Sequence, residues 1–173
     1  FLSGEAGVGK SALIGRFCRD LATAERGLIG LCDPLSTPRP LGPLVDIADA
    51  LRGKVADLLA RGAARDQIFR AVLAALTGGA APALVVFEDV HWADEATLDL
   101  LRFLGRRIGT THTLVVATYR DDEVGAIHPL RLVLGDLATA AHVRRLTVPP
   151  LTESAVRALA EGSGLDPAEL YRR

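Results

Sequence analysis

The 173-residue sequence contains no methionine and only two cysteines, Cys18 and Cys32. The cysteines form no C-x-x-C pair, which argues against a disulfide scaffold and leads us to expect a reduced, cytoplasmic setting. No apolar run approaches the roughly 20 residues that span a bilayer. The net charge is -1, so the chain lacks the large basic field of a nucleic-acid-binding surface and the polybasic strip of a membrane-binding one.

Lysine is also scarce, since only Lys10 and Lys54 stand among many arginines. This scarcity argues against chance where a lysine falls inside a motif. The sequence begins at Phe1 within an apolar stretch and shows no signal or transit segment, so we expect an internal piece of a longer protein. Apolar residues at 49% and charged residues at 24% exclude a disordered or fibrous chain.

Short apolar runs rich in β-branched residues alternate with stretches of helical period. The runs predict strands at 1–3, 28–32, 84–88, 114–118 and 143–148. The continuous runs LVVF and TLVVAT are typical of strands buried on both faces of a parallel sheet. The periodicity predicts helices at 10–24, 67–76, 94–108, 151–161 and 167–173, with Asp94 as an N-cap. Prolines between 33 and 43 predict a stiff loop, and the whole alternation predicts an α/β fold.

The strongest motif is GEAGVGKS at 4–11, which fits G-x-x-x-x-G-K-[ST] in full. An apolar strand end precedes it and an amphipathic helix follows. The glycines allow backbone N–H groups to turn toward phosphate oxygens, and the helix N-terminus adds its positive dipole end. The Lys10 ammonium then reaches the β and γ phosphates, and the Ser11 hydroxyl binds magnesium. A glycine-rich turn with a coincidental lysine is the weaker alternative.

The predicted nucleotide-binding residues are the whole loop and the start of the helix: Gly4, Glu5, Ala6, Gly7, Val8, Gly9, Lys10, Ser11 and Ala12. The predicted cofactors are ATP or ADP with magnesium.

A second motif, LVVFED at 84–89, is an apolar strand that ends in two acids. Such a strand delivers side chains to the carboxyl edge of the sheet, where phosphates bind. We assign Glu88 to the magnesium ion, together with Ser11, and Asp89 to the attacking water. The alternative is a pair of solvated turn acids, which the phosphate loop makes less favourable.

A third motif, TLVVATYR at 113–120, ends a buried strand in Arg120. An arginine at this edge is a candidate catalytic residue because it can contact a γ-phosphate. The alternative is a surface arginine paired with Asp121 or Asp122. His91, which follows the acid pair, fits a structural loop residue better than a general base.

These segments together resemble the ATPase domain of large LuxR-type bacterial transcriptional regulators. The resemblance rests on GEAGVGKSAL, CDPLSTPRPLGPL, LVVFEDVHWADEATLDLLRFL, VVATYRDDEV and RLTVPPL. These regulators belong to the signal-transduction ATPases with numerous domains (STAND), an AAA-like branch of the P-loop NTPases. The phrase HWAD and the strand end TYR narrow the resemblance beyond the P-loop class.

The resemblance implies a three-layer P-loop fold whose parallel five-stranded sheet has the P-loop strand at its centre. It implies an N-terminally truncated ATPase core at 1–150 and the beginning of a helical lid at 151–173. It also implies self-association governed by nucleotide state, and contact with DNA only through a domain outside this chain. The family commonly has Asp where this chain has Glu88.

Three functions fit these features. The first is an ATP-hydrolysing regulatory switch, and the second is a nucleotide-binding scaffold with negligible turnover. The third is a small-molecule kinase, which the helical segment after Pro150 and the phrase HWAD disfavour. The same module also occurs in cyclase-linked or kinase-linked signalling proteins.

Overall fold

The computed structural model describes residues 1–20, 27–51, 54–78, 84–161 and 166. In this part of the chain, five parallel strands form one sheet in the order β2-β3-β4-β1-β5. The strands are β1 (Leu2–Ser3), β2 (Leu28–Leu31), β3 (Leu84–Glu88), β4 (Leu114–Tyr119) and β5 (Leu146–Thr147). The predicted α/β class and five-stranded parallel sheet are confirmed. The P-loop strand β1 is interior, but β4 and not β1 occupies the middle of the sheet.

Helices connect the strands. In chain order they are α1 (Lys10–Asp20), α2 (Gly42–Ile47), α3 (Val55–Ala60), α4 (Arg65–Thr77), α5 (Glu95–Gly105), α6 (Pro129–Asp136) and α7 (Glu153–Ala160). Two short 3-10 helices span Val90–Trp92 and Ile108–Thr110. The predicted helix at 94–108 therefore stops at Gly105. Helices α2, α3 and α6 were not predicted. Residues 21–24 and 167–173, predicted as helical, lie outside the described residues.

The predicted strand at 143–148 is wrong in length, since β5 comprises only Leu146–Thr147. A strand exists only where a neighbour supplies hydrogen bonds. Leu2 and Ser3 of β1 are the partners of β5, and they reach no further than these two residues. The apolar character of Val143 has a different reason, because its side chain packs against the main core cluster.

The burial of strand β3 shows that the sheet is covered on both faces, which gives the fold three layers. Its first four residues are all buried, and their side chains alternate between two core clusters. Leu84 and Val86 pack with Ile14 of α1 on one face. Val85 and Phe87 pack on the other face with apolar residues of α2, α4, α5 and α6. A strand covered on both faces needs an uninterrupted apolar run, as predicted from LVVF.

Helix α2 lies directly on edge strand β2. A Cβ on Gly30 would stand 2.0 Å from the carbonyl oxygen of Pro43, so the two backbones touch where only glycine fits. The outward amide of Leu31 donates to the Asp46 carboxylate of α2 at 3.2 Å. Edge and helix are thus joined by both packing and a hydrogen bond.

The carboxyl ends of the strands gather the predicted site residues. Leu2 of β1 pairs with Thr118 of β4, and Phe87 of β3 pairs with Ala117. In this register the loop after β1, the acids that end β3 and the arginine after β4 leave the same edge of the sheet. Parallel α/β sheets bind ligands at this edge.

Candidate functional site

The loop between β1 and α1 has a backbone that requires glycine. Gly7 and Gly9 have φ angles of 75° and 101°, which residues with a Cβ rarely adopt. A Cβ at either position would meet no atom within 4 Å. Backbone conformation, not crowding, therefore accounts for these two glycines of the motif.

Several amides of this segment have no acceptor in the protein. Across the described ranges, the N–H groups of Gly7, Gly9, Lys10 and Ser11 donate no hydrogen bond to the chain. The first N–H groups of any helix lack intrahelical partners, and here the preceding loop adds more donors. Together with the dipole of α1, they favour an anion at this helix end.

Lys10 brings a positive charge to the same loop. Its side chain is buried, with Nζ donating to the carbonyl oxygens of Gly4 at 2.7 Å and Glu5 at 2.9 Å. These two bonds fold the side chain back over the loop. An ammonium has three donors, so one stays available to an anionic ligand.

The two predicted magnesium ligands lie next to each other. The Ser11 hydroxyl donates to Oε2 of Glu88 at 2.9 Å, which joins the first turn of α1 to the end of β3. Magnesium prefers oxygen ligands and usually combines one or two carboxylates with waters and substrate phosphates. This hydroxyl and this carboxylate fit such an ion. The described residues contain no cluster of three or more His, Cys, Asp or Glu side chains able to hold a metal alone.

Asp89 follows Glu88 in a left-handed conformation, with φ 55° and ψ 45°, which aspartate tolerates better than most residues. Its amide donates to Oγ1 of the buried Thr118 at 3.0 Å, so β4 fixes the turn that ends β3. The carboxylate is 29% exposed and stands 3.9 Å from Nδ1 of His91. Within the described part of the chain it accepts no hydrogen bond, so its oxygens are available to a water molecule.

Arg120 has a partner that the sequence did not suggest. Its NH1 donates to Oε1 of Glu123 at 2.6 Å, and its guanidinium carbon lies 4.8 Å from the ring centre of Trp92. No ion pair among the described residues joins Arg120 to Asp121 or Asp122, so that alternative named the wrong partner. The hydrogen bond raises the pKa of Arg120 and lowers the pKa of Glu123. The role of a phosphate sensor stays a prediction.

His91 lies next to the Arg120–Glu123 pair and connects three segments of the chain. Its side chain is 1% exposed, and Nδ1 accepts from the backbone N–H of Arg120 at 3.4 Å. Its carbonyl oxygen lies 3.0 Å from Nε2 of His128. Burial lowers the pKa of His91, although Asp89 and Glu123 act in the opposite direction. A neutral ring that accepts at Nδ1 carries its proton on Nε2.

Asp94 accounts for the end of the phrase HWAD. Its Oδ1 accepts from the backbone N–H groups of Ala96 at 2.8 Å and Thr97 at 3.1 Å, which confirms the predicted N-cap of α5. Its Oδ2 accepts from the Leu41 amide at 3.1 Å and from the Thr97 hydroxyl. One carboxylate thus ties the start of α2 to the start of α5.

One apolar cavity in the described structure lies away from these groups. It has a volume of about 580 Å³ and is lined mainly by apolar side chains of α1, α5 and β4, including Leu13, Phe17, Leu101 and Leu104. None of its lining residues belongs to the phosphate loop or the acid pair. This cavity therefore does not mark the candidate site, which is identified by its hydrogen-bond donors and charges instead.

Two members of the site were not predicted. Thr118 fixes the Asp89 amide, and Glu123 pairs with Arg120. Thr118 was visible as a polar residue near the end of a buried strand. Glu123 stands three residues after Arg120, a spacing that permits an ion pair, but two nearer aspartates obscured it.

Comparison with known proteins identifies a family for this chain. No helix in the described ranges has the length and apolar character to cross a bilayer. No curated protein matches the chain. Residues 1–116, about two thirds of the chain, match the family model of the AAA ATPase domain. This stretch contains the phosphate loop with Lys10 and Ser11 and the acid pair Glu88 and Asp89, so the chain belongs to the AAA ATPase domain family.

Proposed function

We propose that the chain is the ATP-binding and ATP-hydrolysing switch of a LuxR-type multidomain transcriptional regulator. One observation carries the nucleotide part: buried Lys10 and a row of acceptor-free amides adjoin a hydroxyl–carboxylate pair, Ser11 and Glu88. This is the donor set that a magnesium-bound triphosphate needs.

The phosphate loop binds the β and γ phosphates. Backbone amides between Gly4 and Ala12 donate to phosphate oxygens, and Lys10 contributes its third N–H donor and its charge. Glu5, Ala6 and Val8 form the wall of the loop. Ser11 and Glu88 would hold a magnesium ion through their oxygens, and the ion would neutralise phosphate charge.

Asp89 supports hydrolysis. Its carboxylate accepts a hydrogen bond from the attacking water and orients it toward the γ-phosphorus. The left-handed turn and the bond to Thr118 fix the backbone from which this carboxylate projects. Arg120 contacts the γ-phosphate and distinguishes ATP from ADP, because the diphosphate offers it no equivalent group.

The wider context follows from the sequence resemblance. In this proposal residues 1–150 form the ATPase core and residues 151–173 begin the helical lid. The nucleotide state governs self-association in the cytoplasm. A separate domain of the same regulator binds DNA. The module of a cyclase-linked or kinase-linked signalling protein is the alternative context.

A scaffold that binds nucleotide with negligible turnover is the second candidate. The observation that favours it is Glu88, which is one methylene longer than the family's usual Asp and contacts the Ser11 hydroxyl directly. A displaced carboxylate disturbs the magnesium site more than it disturbs the phosphate loop. ATP binding therefore survives while the rate of hydrolysis falls.

The two lysines of the chain give a matched test of binding. Lys10→Ala should weaken ATP affinity by about 10- to 100-fold, the loss expected for a charged hydrogen bond. Lys54→Ala removes the same atoms from an exposed position and should leave affinity unchanged. Isothermal titration with magnesium-ATP measures both, and equal affinities for the two variants would refute the phosphate-loop assignment.

The two acids separate switch from scaffold. Asp89→Asn should retain ATP binding and lose hydrolysis, whereas Glu88→Gln should reduce the magnesium dependence of binding. Phosphate release over time measures turnover, with the half-buried Asp99→Asn on α5 as control. Undetectable hydrolysis by the unsubstituted chain, with ATP binding intact, would favour the scaffold. An exchange of the two phenotypes would reverse the assigned roles.

A further inference from the structure

Glu123 is the centre of a group of side chains that surrounds Arg120. Its Oε1 accepts from Arg120 NH1 at 2.6 Å, and its Oε2 accepts from the indole N–H of Trp92 at 3.1 Å. Nε2 of His91 lies 3.4 Å from the same Oε2. The carboxylate thereby links the residue after β4 to the 3-10 helix after Asp89.

The hydrogen bonds of His91 indicate that its ring N–H faces this carboxylate. Its Nδ1 accepts from the Arg120 amide, so Nε2 carries the proton. That N–H is buried and has no well-aligned acceptor among the described residues. Glu123 is the nearest acceptor, at a distance that a small movement converts into a hydrogen bond.

Glu123 binds Arg120 but leaves most of its N–H donors unbonded. Of its five N–H donors, one is bonded to Glu123, and the described residues accept from none of the others. The guanidinium stacks over Trp92 at 4.8 Å, a contact that restricts rotation. A guanidinium fixed in this way loses less freedom on meeting a phosphate than a mobile one does.

We propose that Glu123 is a positioning residue that holds Arg120 on the face of Trp92, with its remaining donors free for the terminal phosphate of ATP. This inference rests on the sensor role of Arg120 in the proposed function. It adds a residue and a physical route, because Trp92 and His91 belong to the segment that begins at Asp89. Contact between Arg120 and a phosphate therefore pulls on the turn that carries Asp89.

The unique tryptophan supplies a readout that a merely structural role would not move. Trp92 is the one tryptophan in the sequence, and its indole touches both Arg120 and Glu123. A non-hydrolysable ATP analogue should change its emission spectrum, and ADP should change it much less. The measurement uses the whole chain.

The test compares Glu123→Ala, Arg120→Ala and Asp122→Asn. Glu123→Ala should reduce the affinity ratio of the ATP analogue over ADP by about 10-fold and remove the analogue-specific change in Trp92 emission. ADP affinity should stay the same. Asp122 is exposed and forms no ion pair in the described structure, so Asp122→Asn should leave the ratio unchanged. Glu123→Asp, which keeps the charge, should restore part of it.

Arg120→Ala separates failure of this inference from failure of the sensor role. If Arg120→Ala keeps the full ratio, the sensor role itself is wrong. If Arg120→Ala lowers the ratio and Glu123→Ala does not, the sensor stands and the positioning role of Glu123 is overturned. A higher ratio in Glu123→Ala also overturns it, because Glu123 would then withhold Arg120 from the phosphate. Loss of ADP binding in Glu123→Ala would mark a general structural role and overturn the proposal equally.

Discussion

Replacing Asp94 by Ala should be among the most destabilising single changes at the edge of the site. The substitution removes an N-cap, which contributes about 0.5–2 kcal/mol. It also leaves the Leu41 amide and the fully buried Thr97 hydroxyl without an acceptor, at about 1–3 kcal/mol each. Since these terms share one carboxylate and are not additive, we expect a loss of about 3–6 kcal/mol. Domains of this size are stable by only about 5–15 kcal/mol.

Urea denaturation and thermal melting, both followed by circular dichroism, measure this loss, with Asp99→Ala as the matched control. Asp99 lies on the same helix, but its carboxylate is 37% exposed, and the side chains of its partners Arg65 and Arg102 are 55% and 40% exposed. Such pairs contribute at most about 1 kcal/mol. The melting temperature should fall by about 10 °C for Asp94→Ala and little for the control. Equal losses in the two variants would refute the cap-and-bridge role of Asp94.

Two further experiments test residues near the carboxyl edge of the sheet. Thr118→Val keeps the shape of the side chain but leaves the Asp89 amide without its acceptor. It should therefore lower the free energy of unfolding by about 1–3 kcal/mol and slow ATP hydrolysis more than it weakens ATP binding. Unchanged stability in urea would contradict the role of this bond. Burial, followed by the charges of Asp94 and Asp89, raises the pKa of the Cys32 thiol to about 12, so iodoacetamide at pH 8 should modify Cys32 only after unfolding. Peptide mass spectrometry detects the adduct, and labelling of the folded chain would contradict this expectation.

The elements predicted best from the sequence are those whose signal is local. The glycines of the motif predict the phosphate loop. The apolar run at 84–87 predicts β3, because a strand that is covered on both faces of the sheet needs such a run. The length of strand β5 was overestimated because Val143 is apolar for a different reason, which is its packing against the core cluster. Helix α6 was missed because its signal, Pro129 after the capping His128, is short. The length of a strand depends on its neighbour, which a local pattern does not contain.

The same distinction holds within the site. Lys10 and Ser11 follow from one motif, whereas the Ser11–Glu88 contact spans 77 residues and was inferred only because parallel strands share an edge. Arg120 was recognised, but its partner was not. Sequence proximity favoured the neighbouring aspartates, while the turn after β4 brings Glu123 and Trp92 to the guanidinium. Such a cluster depends on three-dimensional packing rather than on spacing.

The bond between Leu31 and Asp46 bears on how copies of the chain meet. An edge strand with free outward amides is a template for a strand of another molecule. On β2, Asp46 already takes the Leu31 amide, so a second copy would gain a hydrogen bond there only by breaking one. On the opposite edge, β5 has two residues and follows the exposed Arg144 and Arg145, whose charges repel their counterparts. Both edges of the described sheet therefore disfavour the addition of a strand from a second copy, and the proposed self-association would proceed through helices and loops.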